Sequence, residues 1–135
     1  MVKVFVDTCM FKALIDRKDE FHEKAVRIWE KIEKGKDELM TSNYVLDESF
    51  TLIRLRCGLE KANDLRKMVS SSGDRLKVVR VTMADEAGAW KWFVKNWSKL
   101  SFTDCVSFSM MKRLEVKRVA GFDGHFKRAG FKIEK

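Results

Sequence analysis

Apolar positions at the start of the chain follow two different periods. Residues 2–6 form a short run rich in valine, which predicts a β-strand. Asp7 and Thr8 come next, and such a pair can cap a helix that begins near Cys9. Between residues 20 and 34, apolar side chains recur every three or four positions with charges between them, and Gly35 follows. This second pattern predicts an amphipathic helix that ends at a glycine.

The alternation of strand and helix patterns continues to the end of the chain. Ser42 or Asn43 is placed to cap a helix whose apolar face carries Val45, Leu52 and Leu55. Further helices are predicted at 59–69, 82–97 and 101–114, and further strands at 39–41, 76–81, 116–122 and 132–133. Together these elements predict an α/β fold with three layers, α/β/α, around a central, mainly parallel β-sheet.

Length and composition are those of a single folded unit. The 135 residues include no proline, and 45% of them are hydrophobic, enough for a sizeable core. The serine-rich stretch at 70–74 is short enough to be an ordinary connection. We therefore expect residues 1–135 to form one domain.

The sequence has no apolar run long enough to cross a bilayer and no signal-peptide pattern, so we expect a cytoplasmic protein that does not contact a membrane. Cys9, Cys57 and Cys105 are odd in number and far apart, which favours reduced thiols over disulfides or a zinc site.

Lys and Arg exceed Asp and Glu by 28 to 20, which gives a net charge of +8. A polyanionic partner and simple solvation by lysine both explain that surplus.

Two acidic residues follow predicted strands. Asp7 comes directly after the first strand, and Asp123 comes after the run that ends with Gly121 and Phe122. Parallel α/β sheets bind ligands outside the carboxyl ends of their strands, so acids at these places are candidates for a site. Asp is also a common helix cap and turn residue, and this explanation stays open for each of them.

Two further acids fall on apolar faces of predicted helices. Glu48 lies three residues after Val45 and four before Leu52, whereas the neighbouring Asp47 points about 100° away. Asp104 shares a face with Phe108 and Met111, and it also completes a capping box with Ser101. A cap and an inward-facing carboxylate are compatible, because the helix dipole favours an acid in the first turn.

Four converging carboxylates repel one another unless a cation lies between them. Oxygen ligands alone suit Mg²⁺ or Mn²⁺, whereas zinc would require histidine or cysteine. His22 is expected in an exposed helical turn. His125 lies near Asp123, where we expect a surface or supporting role over direct contact with a substrate.

The segments that carry these acids resemble the PIN-domain family, in particular the small single-domain ribonuclease toxins of toxin–antitoxin pairs. The resemblance spans nearly the whole chain and rests on VFVDT at 4–8, TS at 41–42 with YVLDE at 44–48, LSFTD at 100–104, and GFDGHF at 121–126 followed by AGF at 129–131. Cys9 and Cys105 depart from the pattern, since small aliphatic or hydroxyl residues are more usual beside these acids. We expect both cysteines to serve as packing residues.

The resemblance implies that Asp7, Glu48, Asp104 and Asp123 hold Mg²⁺ or Mn²⁺ and carry the catalysis of RNA phosphodiester hydrolysis. Thr103 matches a position where a hydroxyl supports the site, and Thr8 could orient Asp7, although we favour a helix cap for it. The resemblance further implies an endoribonuclease toxin with an RNA substrate, a homodimer, and a cognate antitoxin that inserts near the acids.

The residues argue against two other functions and leave a third open. A phosphatase of the two-aspartate kind needs an Asp where Cys9 stands, and a nucleotide-binding fold needs a glycine-rich turn that is absent from the sequence. The alternative that survives is a non-catalytic RNA- or protein-binding module that keeps the PIN fold.

Trp90, Phe93 and Trp97 are spaced for one helical face, which favours a core or subunit interface over a base-stacking surface. Surface cations are available for phosphates, among them Arg54, Arg56, Lys61, Arg66, Lys67, Lys112, Arg113, Lys127 and Arg128.

Overall fold

The protein, described over residues 2–135 by a computed structural model, is built on one sheet of five strands. The strands are β1 (Lys3–Val6), β2 (Glu38–Ser42), β3 (Leu76–Val79), β4 (Arg118–Ala120) and β5 (Lys132–Ile133). Their order across the sheet is β3-β2-β1-β4-β5, and every neighbouring pair is parallel. The predicted α/β/α architecture is confirmed, and the sheet is entirely parallel within the described residues.

Seven α-helices flank the sheet in the described part of the chain. They are α1 (Thr8–Ile15), α2 (His22–Lys34), α3 (Asn43–Cys57), α4 (Leu59–Ser72), α5 (Met83–Phe93), α6 (Phe102–Arg113) and α7 (Gly124–Arg128). None of these helices is both long enough and apolar enough to span a bilayer.

Strand β1 lies at the centre of the sheet and explains the valine-rich start of the sequence. Val4, Phe5 and Val6 are fully buried, because helices cover both faces of the sheet. Phe5 pairs in register with Met40 of β2 on one side and with Val119 of β4 on the other. A central strand of this kind needs apolar side chains in both directions, so the sequence shows a continuous run instead of an alternation.

The path of the chain across the sheet determines where a ligand site can form. The chain moves from β1 to β2 and β3 in one direction, then returns past β1 to β4 and β5. Because crossovers between parallel strands are right-handed, α1–α4 lie on one face and α5–α7 on the other. The direction reverses between β1 and β4, and the carboxyl ends of these two strands border the crevice where such sheets bind ligands.

Two predicted helices have a different extent in the structure. α5 ends at Phe93 rather than at 97, and Trp97 packs beyond the helix against Trp92, with ring centroids 6.0 Å apart. The prediction of one helical face for Trp90, Phe93 and Trp97 is therefore wrong, because burying Trp97 on Trp92 requires the chain to leave the helix. α4 continues to Ser72 through the predicted connection, and the Ser72 hydroxyl donates back to the carbonyl oxygen of Met68 at 2.7 Å.

An ion pair with a buried carboxylate joins α5 to α6. Asp85 is 1% exposed, and the Arg113 guanidinium donates to both of its carboxylate oxygens, at 2.7 and 2.8 Å. The same carboxylate accepts a hydrogen bond from the backbone N–H of Thr82 at 2.9 Å, which completes a capping box at the start of α5. This arrangement satisfies the charge of Asp85 on both sides and fixes α6, the helix that carries Asp104.

We predict that Asp85→Ala lowers the free energy of unfolding by about 2 kcal/mol, since it removes the helix cap and the hydrogen bonds of a buried carboxylate, whereas water solvates the Arg113 side chain, which is 37% exposed. Urea unfolding followed by circular dichroism measures this change. Asp64→Ala is the matched control, because Asp64 and Lys61 form an exposed pair 3.8 Å apart whose loss costs at most about 1 kcal/mol. Equal losses for the two variants would contradict the proposed importance of the buried carboxylate.

Candidate functional site

Asp7 occupies the carboxyl end of the central strand. It is 1% exposed, and its backbone N–H donates to the carbonyl oxygen of Ala120 at 3.1 Å, which extends the pairing of β1 with β4. The side chain stands at the N-cap position of α1 but makes no capping hydrogen bond, and its Oδ1 atom has no hydrogen-bond partner within residues 2–135. A buried carboxylate oxygen without a partner is costly, and either a proton on the carboxyl group or a bound cation would offset that cost.

Gly121 provides the space beside Asp7. A β-carbon added at this glycine would lie 3.2 Å from the β-carbon of Asp7 and 3.6 Å from its Oδ2 atom. Any larger residue would crowd the β-carbon of Asp7 and so disturb the position of its side chain. Only the pairing of β4 with β1 reveals that this glycine faces Asp7.

Asp104 lies at the start of α6 and serves the predicted capping box. Ser101 Oγ accepts a hydrogen bond from the Asp104 N–H at 3.0 Å, and Asp104 Oδ2 accepts one from the Ser101 N–H at 3.3 Å. Asp104 is nevertheless 6% exposed, and Phe108 and Met111 of the same helix are fully buried. Both explanations offered by the sequence are therefore correct: the carboxylate caps α6 and also faces inward.

Asp123 and His125 form the outer part of the site. Asp123 is the N-cap of α7, and its Oδ1 accepts a hydrogen bond from the His125 backbone N–H at 2.9 Å. The His125 ring places Nδ1 3.0 Å from Asp123 Oδ1 and 3.7 Å from Asp104 Oδ2. Nε2 lies 2.8 Å from the Ser98 carbonyl oxygen, which can only accept, so this nitrogen carries a proton.

Trp97 and Arg128 hold the histidine ring in place. The ring stacks on Trp97 with centroids 6.1 Å apart and planes 17° apart, and the Arg128 guanidinium covers Trp97 at 4.4 Å. One ligand atom each from Asp104, Asp123 and His125 lies within 4.8 Å of the others. The expectation of a supporting position for His125 thus agrees with its geometry.

His22, in contrast, is half-buried, with Nδ1 2.7 Å from the Ala13 carbonyl oxygen, and so is not in the exposed turn that we expected.

Glu48 approaches the site from α3. The buried face of this helix carries Val45, Ser49 and Ile53. Leu55, which was predicted to lie on the apolar face, is 80% exposed, so that prediction is partly wrong. Glu48 borders the buried face and is half-buried, whereas Asp47 is exposed. The helix accommodates a small polar Ser49 in its buried face because the hydroxyl donates to the Val45 carbonyl oxygen at 2.7 Å.

The four acids influence one another electrostatically. Burial raises the pKa of Asp7 well above its usual range, and the charges of Asp104, Glu48 and Asp123 raise it further. Burial and then the charge of Asp123 raise the pKa of Asp104 to about 6, with a further contribution from Glu48. The structure therefore brings all four acids within electrostatic range, although Asp7 and Glu48 lie outside the close group of Asp104, Asp123 and His125.

Two threonines and two cysteines adjoin these acids. Thr8 is the first residue of α1 rather than its cap, and its buried hydroxyl has no hydrogen-bond partner within residues 2–135, so the expected cap is not formed. Thr103 is half-buried beside Asp104. Burial and the nearby acids raise the pKa of both thiols, that of Cys105 to about 11, which keeps Cys9 and Cys105 protonated as expected of packing residues.

The donor set fits a hard divalent cation. Its oxygen atoms come from carboxylates, one of them buried without a partner, and their mutual repulsion is the kind that a bound cation relieves. The close group of candidate ligands contains two carboxylates and one imidazole, and such an oxygen-rich set favours Mg²⁺ or Mn²⁺ over zinc, which prefers nitrogen and sulfur ligands.

A fully parallel sheet with acids gathered at its switch point is the arrangement of a PIN domain. The PIN-domain model matches residues 4–132, and the chain belongs to this family. Within it, the chain is 36% identical over 133 residues to the 23S rRNA-specific endonuclease VapC20 of Mycobacterium tuberculosis, an alignment that covers 95% of each chain. The crystal structure of that sarcin-ricin loop cleaving toxin superposes with a TM-score of 0.84 at 35% identity and 95% coverage of each chain.

More distant structures share the fold. FitAcB from Neisseria gonorrhoeae superposes with a TM-score of 0.68 at 14% identity, covering 98% of this chain and 96% of the other. VapBC2 from Rickettsia felis, bound to a DNA fragment from its promoter, superposes equally well at 14% identity, covering 99% of this chain and 98% of the other.

We predict that Asp7→Asn raises the melting temperature by several degrees in EDTA, because it removes a buried charge that three other acids oppose. The folded state holds the Asp7 proton to a higher pH than the unfolded state does. The wild-type free energy of unfolding therefore falls relative to that of the variant as the pH rises from the ordinary carboxyl pKa of about 4 toward neutrality.

Differential scanning fluorimetry across this pH range measures the difference. Asp47→Asn, which neutralises an exposed acid on the same helix as Glu48, should leave the melting temperature unchanged. A lower melting temperature for Asp7→Asn throughout the range would show that the carboxylate stabilises the apo fold instead.

Proposed function

We propose that residues 1–135 act as a single PIN-like nuclease domain that hydrolyses RNA phosphodiester bonds, as the toxin of a toxin–antitoxin pair. The observation that carries this proposal is the buried Asp7 oxygen without a partner, at the switch point of the sheet and beside Asp104 and Asp123. A binding module has no need of so unfavourable a group. The family and the 36% identical endonuclease support the same activity.

Mg²⁺, with Mn²⁺ as a substitute, is the cofactor that we propose for this site. Asp7, Glu48, Asp104 and Asp123 would hold it, with Thr103 and Thr8 beside them as supporting hydroxyls. When bound, such a cation lowers the pKa of a water and offsets the negative charge that develops on the phosphate.

The residues of the chain itself prepare this chemistry by fixing the carboxylates in advance. Backbone N–H groups of Ser101 and His125 hold Asp104 and Asp123, so neither side chain has to reorganise when substrate arrives. If one of these four carboxylates is not a ligand of the ion, it would accept a proton from the attacking water. The products we expect are a 5′ phosphate and a 3′ hydroxyl.

The substrate that we propose is ribosomal RNA, in particular the sarcin-ricin loop, because the relative with 36% identity over 95% of the chain is a 23S rRNA-specific endonuclease that cleaves this loop. A cognate antitoxin is the proposed protein partner. VapBC assemblies among the structures of the same fold support it, and the family resemblance also favours a homodimer.

We predict that the purified chain cuts a sarcin-ricin loop oligonucleotide in the presence of Mg²⁺ or Mn²⁺ and stops when EDTA is added. Asp7→Asn should reduce the cleavage rate roughly 100-fold or more, because it removes a charge that the proposed ion requires. Gel analysis of end-labelled RNA measures the rate and identifies the ends.

The control for this prediction is Asp47→Asn, which removes an exposed charge and should cleave at the wild-type rate. Cleavage that continues in EDTA would refute the metal-dependent mechanism. If Mn²⁺ neither raises the melting temperature nor supports cleavage of any RNA, the chain is a binding module that retains the PIN fold.

A further inference from the structure

A groove runs beside the edge of the sheet, between α2 and the segment formed by α7 and β5. Lys24 and Lys31 of α2 line one side of it, and Lys127 of α7 and Lys132 of β5 line the other. The groove has a volume of about 870 Å³, which is large enough for a nucleotide. We call it the α2–β5 groove; six cationic residues line it, namely Lys24, Lys31, Arg118, Lys127, Lys132 and Lys135.

The positive charge of this groove is largely uncompensated. Glu134 is the only acid among its lining residues, and it is already paired with Arg118, whose Nη2 donates to Oε2 at 2.8 Å. Lys24, Lys127 and Lys132 form no ion pair with any residue in 2–135. A concave surface of this kind attracts phosphate groups, and its field adds to the net charge of +8.

An aromatic pair lies at one end of the groove. The rings of Phe21 and Phe122 stack with centroids 4.6 Å apart and planes 7° apart, and Phe21 is 37% exposed. Lys24 Nζ lies 5.9 Å from the centre of the Phe122 ring. An exposed aromatic face with cations around it is the combination that binds the bases and the backbone of single-stranded nucleic acid.

The turn that carries Phe21 is held in place before any ligand arrives. Asp19 Oδ1 accepts a hydrogen bond from the Phe21 N–H at 2.8 Å, and its Oδ2 accepts one from Lys12 Nζ at 2.9 Å. Because the turn is already ordered, the Phe21 side chain loses little conformational entropy when a base stacks on its ring.

The groove is connected to the acidic site through residues 121–123. Gly121 and Phe122 line the groove and directly precede Asp123, and a β-carbon added at Gly121 would lie 3.2 Å from that of Asp7. A chain of phosphates that follows the lysines would therefore be led to the carboxylates. This connection favours RNA over an acidic protein segment, because such a segment would gain nothing from approaching the acids.

We propose that the α2–β5 groove binds the single-stranded stretch of RNA next to the scissile phosphodiester. Lys24, Lys127 and Lys132 contact its phosphates, and an unstacked base lies on the Phe21–Phe122 pair. This inference rests on the proposed nuclease function for the identity of the site, but it concerns binding, which can be measured without cleavage.

The charge component is tested with the full chain in EDTA, by fluorescence anisotropy of a labelled single-stranded RNA oligonucleotide at several salt concentrations. The triple variant Lys24→Gln, Lys127→Gln, Lys132→Gln should bind more weakly, and the slope of log affinity against log salt should decrease by about 2, since each phosphate contact contributes about 0.7. A control with the same charge loss, Lys36→Gln, Arg80→Gln, Lys91→Gln at exposed positions outside the groove, should keep the wild-type slope.

The stacking component is tested with 2-aminopurine at successive positions of the same oligonucleotide. Binding to the wild type should quench the fluorescence at one position, and Phe21→Leu should restore it and weaken binding about tenfold, because leucine fills the space but offers no aromatic face. Phe93→Leu, on the exposed surface of α5, is the matched control and should behave as the wild type.

The possible outcomes separate this proposal from the proposed function. Equal salt slopes for the two triple variants, or no RNA binding by the wild type, would overturn the groove even if the protein cleaves RNA. Groove-dependent binding by a protein that cleaves no RNA would support the groove and refute the nuclease. If the groove variants keep RNA binding but lose their antitoxin, the groove is a protein-docking surface and the proposal is wrong.

Discussion

A buried carboxylate at the centre of the sheet imposes the main constraint on this structure. Asp7 follows the buried residues Val4, Phe5 and Val6 of β1, and it forms no ion pair with any residue in 2–135. The fold does not relieve this charge but increases its cost by placing other acids nearby. The hydrophobic strand, the space left by Gly121 and the reversal of chain direction all keep Asp7 at the crevice. Stability of the apo protein is thus exchanged for a site ready to bind a cation.

The remaining acids differ from Asp7 because each also serves its own helix or lies closer to solvent. Asp104 completes a capping box, and Asp123 caps the short helix α7. These local hydrogen bonds hold the carboxylates in defined orientations and remove some of the penalty of burial. His125, braced by Trp97, ties the two acids together. One set of interactions therefore stabilises helix ends and also orders the site.

The distribution of charge has a functional logic that the net value of +8 conceals. Acids are concentrated at the switch point, whereas lysines line the groove beside it. A polyanion is attracted by the second feature and repelled by the first unless a cation is present. RNA binding and metal binding would then depend on each other, because the same cation neutralises the carboxylates of the protein and the phosphate of the substrate.

Strands and helices alternate along the chain as their local periodicity predicts, and the caps at Thr82 and Ser101 and the candidate acids are also readable from the sequence, because they depend on local hydrogen bonds and spacing. The structure places the cap of α3 at Ser42, one of the two positions predicted. Periodicity failed where tertiary packing outweighed it: Leu55 is exposed, and Trp97 leaves its helix to pack on Trp92. Only the tertiary structure showed that Gly121 faces Asp7, that His125 is braced, and that Phe21 stacks on Phe122, a residue 101 positions away. Contacts between residues so distant in the chain depend on strand order and the side of each crossover, which no local pattern encodes.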